Sequence, residues 1–440
     1  MRTTIYRARV LDVPSDPFTG GQLRSDEDVA LTVTDGTITG RGSLAEARVG
    51  APEAEVLDLR AGILLPGFVD THVHYPQVRA IGGLGMPLLD WLDECALPEE
   101  EHMADAGYAG QVADELLAGL AQAGTTTALV FGAHQASAMD VFFAAAEGSG
   151  LRITAGLVVG DRLLKDTLHT TPDAALSEAG RLIETWHGRG KLRYAVTPRF
   201  SLSATDELLA ACAQTFTSRE DLYFTSHVNE NTAEVEAVAE LFPHAAHYLD
   251  TYDRHGLLGP RSVLAHNVHP VPAELARMGE TGVSVAHCPS SNASLGSGLF
   301  PMRAHLDAGV HVALGSDVGG GTGFSLIKEG LQAYFAQQAR PDGVPLAPEH
   351  LLHLATVAGA HALGLDQVGH LSEGMAFDAV WFRPQEGSTA EAVLRSAASA
   401  GDALAKIFAL GTPADVAQVW VAGEAPRMRR RPPSCSADPG

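Results

Sequence analysis

Eight short apolar segments recur through the middle of this chain, separated by stretches of helical period. That alternation limits the fold more than any other feature. The segments are Ile63–Val69, Thr126–Phe131, Arg152–Val159, Arg193–Val196, Tyr223–Thr225, Ser262–Ala265, Val283–Ala286 and Val310–Leu314. Between them, Tyr108–Gln122, Pro172–Gly188 and Thr205–Phe216 carry apolar residues at helical intervals. Eight strand–helix units predict an α/β fold, a (β/α)8 TIM barrel, with its functional side chains at the C-terminal ends of the strands.

The two ends of the chain have a different character. Thr4–Val10 alternates, Val29–Val33 leads into the Asp35-Gly36 turn, and Thr37-Ile38-Thr39 resumes the pattern, a hairpin signal. Ala379–Phe382 and Val416–Val421, with a turn at Gly423, repeat that character near the C-terminus. Residues 1–66 and 370–440 are therefore expected to pair into a small β-sandwich domain, with 67–369 forming the barrel. The 45% hydrophobic content and 46 glycines suit a large core with many turns.

Charge and cysteine usage narrow the partners. The formal net charge is -23, from 53 acidic and 30 basic residues. Phosphate backbones and anionic membranes call for clustered Lys and Arg, so neither nucleic acid nor membrane is expected as a partner. The basic run Arg427–Arg431 stands in a Pro- and Ser-rich tail and reads as a frayed end. Neither a signal-type N-terminal segment nor a long apolar run is apparent. Cys95, Cys212, Cys288 and Cys435 are widely spaced and contain no Cys-x-x-Cys, which suggests reduced thiols and a cytoplasmic protein.

Polar residues at the expected strand ends then test the barrel reading. His72 and His74 follow the first strand, two residues apart and so on one side of an extended chain. His227 follows strand five, His266 strand six and Asp317 strand eight. Any one histidine is readily structural, but their joint placement at one barrel mouth is hard to explain by packing. Nitrogen and carboxylate donors suit Zn2+, or Fe2+, over Mg2+ or Ca2+. Strand four ends in Thr197-Pro198-Arg199-Phe200 without a bridging Lys or Glu, and Lys191 lies at its beginning, so one metal per chain is expected. Glu230, three residues beyond His227, has the spacing of a proton shuttle; its alternative is to cap the helix Thr232–Leu241.

The run Pro66-Gly67-Phe68-Val69-Asp70-Thr71-His72-Val73-His74 resembles the opening motif of the amidohydrolase superfamily. Its continuation Tyr75-Pro76-Gln77 is similar to the guanine deaminases within it. So are Thr197–Phe200, Ser226–Asn231, Ala286–Asn292 with Leu295–Phe300, and Gly315–Gly321. The resemblance implies Zn2+ held by His72, His74, His227 and Asp317, with His266 orienting the attacking water rather than ligating tightly. Glu230 would protonate the ring nitrogen beside the attacked carbon, and Asp317 would take a proton from the water. Gln77 and Arg199 would hydrogen-bond the edge of a guanine substrate, Arg199 at the 6-oxo group, while Phe200 stacks on the ring and Trp91 walls the pocket. Arg199 could instead serve a structural salt bridge, and the Trp91 stretch could be a packing face. A homodimer is also implied.

The resemblance departs at Asn267, where a small residue or Cys is more usual, and at Asn229, commonly Ser; either change could alter the substrate pocket. His134, His269 and His287 receive no role, with His287 expected to be capped by backbone. The rival substrates are other aminated azines, such as 8-oxoguanine, pterins or s-triazines. A silent scaffold on the same barrel would be expected to lack some of the metal residues. His-x-Glu with Pro-Cys-x-x-Cys, a P-loop and Gly-x-Ser-x-Gly are all missing from the sequence.

Overall fold

The computed structural model describes residues 2–428. Two sheets organise them. Strands β1 (Thr3–Asp12), β2 (Arg24–Thr34), β3 (Thr37–Gly42) and β4 (Glu55–Pro66) come from the N-terminal segment. The C-terminal strands β14 (Ala379–Phe382) and β15 (Val416–Trp420) join them in one six-stranded sheet of order β15-β14-β4-β1-β2-β3. The β2–β3 hairpin turns at Asp35 and Gly36, both at positive φ, 47° and 84°. That is the backbone a two-residue turn between twisted strands requires.

The second sheet is the barrel: β5 (Phe68–His74), β6 (Thr125–Phe131), β7 (Arg152–Gly156), β9 (Leu192–Pro198), β10 (Tyr223–Val228), β11 (Ser262–His266), β12 (Ser284–His287) and β13 (His311–Leu314). Each pairs in parallel with its neighbours, and the short β8 (Val158–Val159) adds to β9. Hydrogen bonds from Thr71 Oγ1 to the Leu314 carbonyl (2.8 Å), from the Asp317 N–H to the His72 carbonyl (2.8 Å) and from the His74 N–H to the Val318 carbonyl (2.9 Å) close the seam between β13 and β5. Closure thus draws residues 315–318 against the two histidines of β5.

The sequence boundaries shift in one instructive place. The run expected as a single strand, Ile63–Val69, is divided between the two sheets. Ile63–Pro66 ends β4 in the small sheet, and Phe68 starts the barrel. Gly67 makes the crossing, donating its N–H to the Asp378 carbonyl at 2.9 Å, and a β-carbon there would collide with the Thr126 side chain. A uniform apolar run cannot show this division, because both strands are buried on both faces.

Helices sheath the barrel by simple amphipathicity. The helix Ala106–Gln122 starts at Asp105, whose carboxylate accepts the Tyr108 N–H at 2.7 Å, and buries Ala109, Val112, Ala113, Leu116, Leu117 and Leu120 at helical spacing. The helix Val357–Ala362 packs its alanines with Val69, Leu129, Ala195, Val263 and Ala313 in one core. There Gly359 approaches so closely that a β-carbon would lie 2.8 Å from Val69. The helix Ala400–Leu410 lies between β14 and β15 in sequence but packs Phe408 against Gly330 of the helix Leu326–Ala339. No helix among the described residues is long and apolar enough to cross a membrane. Of the basic tail, Arg427 gives its N–H to the Ser149 carbonyl, and Arg429–Arg431 and Cys435 lie outside the described residues.

Candidate active site

β5 presents His72 and His74 on one side of the extended chain, with their Nε2 atoms 3.1 Å apart. β10 brings His227 Nε2 to 3.3 Å from His74 Nε2. The turn after β13 sets Asp317 Oδ1 3.3 Å from His72 Nε2 and 3.2 Å from His74 Nε2. All four side chains are buried. Ligand atoms surrounding one ion at about 2.0–2.2 Å lie roughly 3–3.5 Å from one another, the spacing found here. The tautomers agree: His227 donates Nδ1–H to the Arg199 carbonyl (2.6 Å), which leaves the Nε2 lone pair facing the cluster. Burial and the neighbouring imidazoles hold His227 well below the usual histidine range, hence neutral. Burial pushes Asp317 up, but the adjoining His72 and His74 outweigh it and keep the carboxylate ionised. Neutral nitrogens with one anionic oxygen are the donor set that a divalent transition metal takes.

His266 stands apart from that tight set. Its Nδ1 faces Asn292 Oδ1 at 3.0 Å, and its Nε2 is 3.4 Å from Glu230 Oε2 and 3.8 Å from Asp317 Oδ2. Burial brings it down to about 4, so it is neutral. It also belongs to a second cluster, with His72 and Asp317. Among the described residues the candidate ligand groups are His72 with His74 and His227, and His72 with His266 and Asp317; the two share His72. The end of β9 adds no further ligand, and Lys191 precedes that strand at its opposite end.

The capping alternative for Glu230 does not hold. The helix Thr232–Leu241 is capped by Asn231, whose side chain accepts the Ala233 N–H, and by Glu234, which reaches back to the N–H groups of Glu230 and Asn231. The Glu230 carboxyl faces His266 and the cavity. Burial, with Asp317 and Glu234 nearby, raises it well above the usual glutamate range. A carboxyl so placed holds its proton more tightly than a free glutamate and can donate it.

The backbone turns sharply at these strand ends. Asn229, His266, Asn267 and Asp317 all have positive φ, between 45° and 73°. Asn229 and Asn267 do not line the cavity. The Asn229 amide donates to Asn267 Oδ1 (2.9 Å) and to Glu274 Oε2 (2.9 Å), and Asn267 Nδ2 meets His305 Nε2 at 2.8 Å. These two departures from the family pattern therefore meet each other, joining the segments that carry Glu230 and His266.

A cavity of about 320 Å³ opens over this cluster. His74, His227, Glu230, His266 and Asp317 form its floor, and Gln77, Arg199 and Phe200 one side. Trp91 does line it, with Leu88, Leu92 and Leu295. Arg199 also makes the buried salt bridge that was its alternative reading: its Nη1 lies 2.6 and 2.7 Å from the two oxygens of Glu100. Reasoning from sequence missed Glu100, because in Glu99-Glu100-Glu101 it looks like part of a solvated helix face. Of the unassigned histidines, His134 Nε2 sits 3.2 Å from Glu100 Oε2 and His269 Nε2 2.6 Å from the Ser297 carbonyl. The expected backbone cap of His287 is not found. Its ring stacks on Phe300 at 4.3 Å, and neither nitrogen has a partner among the described residues.

Comparison with known proteins agrees with this geometry. The sequence pattern described as "Amidohydrolase family" matches residues 63–425. A "Probable guanine deaminase" from Deinococcus radiodurans is 60% identical over 427 residues, covering 95% of this chain and 97% of its own. The solved structure of Escherichia coli guanine deaminase superposes with a TM-score of 0.93 at 33% identity, covering 97% of this chain and 100% of that one. That of guanine deaminase from C. acetobutylicum, with guanine bound in its active site, gives 0.90 at 26% identity over 97% and 100%. On sequence and fold together, the chain belongs to the amidohydrolase family.

Proposed function

We propose that this chain catalyses the hydrolytic deamination of guanine to xanthine and ammonia, with one Zn2+ per chain. The observation that carries the reading is the convergence, at one cavity, of the donors His72, His74, His227 and Asp317, a glutamate whose affinity for its proton is raised, and a guanidinium. The likeness to guanine deaminases across nearly the whole chain supports it.

His72, His74, His227 and Asp317 would hold the ion. Bound there, it supplies Lewis acidity that makes water nucleophilic at neutral pH. Glu230 delivers its proton to the ring nitrogen beside C2, which makes that carbon electrophilic. Asp317 accepts a proton from the attacking water, and His266 orients that water from across the cavity. As the C2 hydroxyl becomes the carbonyl its proton returns to Glu230, and Asp317 passes the proton taken from the water to the departing 2-amino group, which leaves as ammonia. Arg199 donates to the 6-oxo oxygen, Gln77 to the purine edge, and Phe200 and Trp91 enclose the ring. A cytoplasmic site of action fits the free thiols Cys95, Cys212 and Cys288. A role in purine breakdown and a homodimeric assembly, the latter measurable by sedimentation, complete the proposal.

The test is ammonia release by zinc-loaded protein presented with guanine, 8-oxoguanine, adenine, cytosine, pterin and melamine. Strong preference for guanine, with xanthine as product, is the expected result. Turnover of another azine alone would keep the metal chemistry and refute the substrate. Silence on all six would refute the reading as a whole.

A further inference from the structure

Glu100 is 1% exposed, yet it lies outside the cavity wall, behind the two residues that face the substrate edge. It is carried on the helix Leu97–His102, part of the same segment that brings Trp91 to the cavity. Its carboxylate meets three side chains. Arg199 Nη1 donates to both oxygens, at 2.6 and 2.7 Å; Gln77 Nε2 donates to Oε1 at 2.8 Å; and His134 Nε2 lies 3.2 Å from Oε2. Burial alone would raise this carboxyl, but Arg199, then His134 and Gln77, hold it far below the usual range. It is an anion fixed among donors.

That arrangement leaves Gln77 one orientation. Its Nε2 points at the carboxylate, and its Oε1 accepts the Gly319 N–H at 3.4 Å. Turned over, the amide would set its carbonyl oxygen against a carboxylate and its NH2 against an N–H, losing both contacts. Arg199 is held end-on through Nη1 alone, and its Nε and Nη2 make no hydrogen bond among the described residues. The nitrogens left on both side chains are therefore N–H donors, while the Gln77 oxygen is turned to the Gly319 N–H.

We propose that Glu100 is a positioning residue that fixes a donor-only edge in the cavity, so that the site selects purines presenting an acceptor, the 6-oxo group, to Arg199. The inference rests on the guanine reading above and extends it to a residue that touches no substrate. A glutamine at position 100 could offer either an oxygen or an NH2 to its neighbours. It would let the Gln77 amide turn over and would release the guanidinium from its charged anchor.

The test uses full-length, zinc-loaded wild type and Glu100→Gln, with zinc content measured for each. Calorimetric binding of hypoxanthine and of unsubstituted purine reports what the 6-oxo group contributes without requiring turnover. In Glu100→Gln the preference for hypoxanthine over purine is expected to narrow about 10- to 100-fold, as for loss of a charge-assisted hydrogen bond. The KM for guanine should rise more than kcat falls, and zinc content should be unchanged. Glu100→Asp keeps the charge but withdraws it by one methylene, so it should fall between the two; it decides the question in the same way if the glutamine variant does not fold. An active wild type with an unaltered hypoxanthine-to-purine ratio in the variants would overturn the positioning role and leave Glu100 a structural ion pair. A wild type silent on guanine would overturn the substrate reading and this inference with it.

Discussion

Glu230→Gln separates a catalytic glutamate from a structural one more cleanly than any other single change. The substitution is isosteric, and it removes no capping bond, because Asn231 and Glu234 already satisfy the start of the helix that follows. The carboxyl lies 3.4 Å from His266 Nε2, and the residue is 3% exposed. Were Glu230 a cap, the variant would lose about 1 kcal/mol of stability and little activity. As the proton donor, its loss should lower kcat roughly 10²- to 10⁴-fold. At 1.36 kcal/mol per decade that is about 2.7–5.4 kcal/mol of transition-state stabilisation. Because the missing interaction acts in the transition state, kcat and kcat/KM should fall together. The assay follows conversion of guanine to xanthine by the change in ultraviolet absorbance, with zinc content and melting temperature measured on the same preparation. Wild-type turnover in the variant, or a rate loss that tracks lost zinc, would refute the shuttle.

Arg199→Ala should raise KM for guanine and also destabilise the fold, by about 3–5 kcal/mol, because it strands the buried Glu100 carboxylate. Adding Glu100→Gln should restore much of the stability but not the KM; additive losses in denaturant unfolding would contradict the pairing. Elemental analysis should find about one transition-metal ion per chain, and two would contradict the absence of a bridging ligand at the end of β9. Glu329, buried with Oε2 on the Ser290 N–H and Oε1 without a partner among the described residues, is pushed up to about 8 from 4.5 by burial. Between those values the folded state keeps a proton that the unfolded chain releases, so stability falls as pH rises through the window. Glu329→Gln removes that slope, and its melting temperature should gain on wild type from pH 5 to pH 8; parallel curves would refute the assignment.

Much of this molecule is legible in the sequence because its signals are local. Polar residues that follow strand ends bring out His72, His74, His227, His266 and Asp317, and Asp35-Gly36 marks its own turn. What sequence does not show is mainly relational. The split of the apolar run at Gly67 depends on which sheet each half joins. Glu100 acquires its role from Arg199, 99 residues away, and from Gln77 and His134. His287 stacks on Phe300, and the expected backbone partner is not found among the described residues. Glu230 illustrates the intermediate case: its spacing from His227 suggested a shuttle, but only the pairing of Asn231 with Glu234 removed the competing cap.

The amide chain Asn229–Asn267–His305 has a bearing on how such a sequence can change. Each link is buried and each side chain completes its neighbour, so replacing one alone leaves a donor or acceptor without water, at a cost of about 1–3 kcal/mol. Asn229→Ser strands Asn267 Oδ1; a small residue at 267 strands one N–H of the Asn229 amide, whose other bond to Glu274 remains, and His305 Nε2. The three side chains thus depend on one another for their buried hydrogen bonds. A lineage moving between this arrangement and the serine-and-small-residue pattern must cross a less stable intermediate or change two sites almost together. Substitutions at 229 and 267 should accordingly be found coupled, although neither residue touches the substrate cavity.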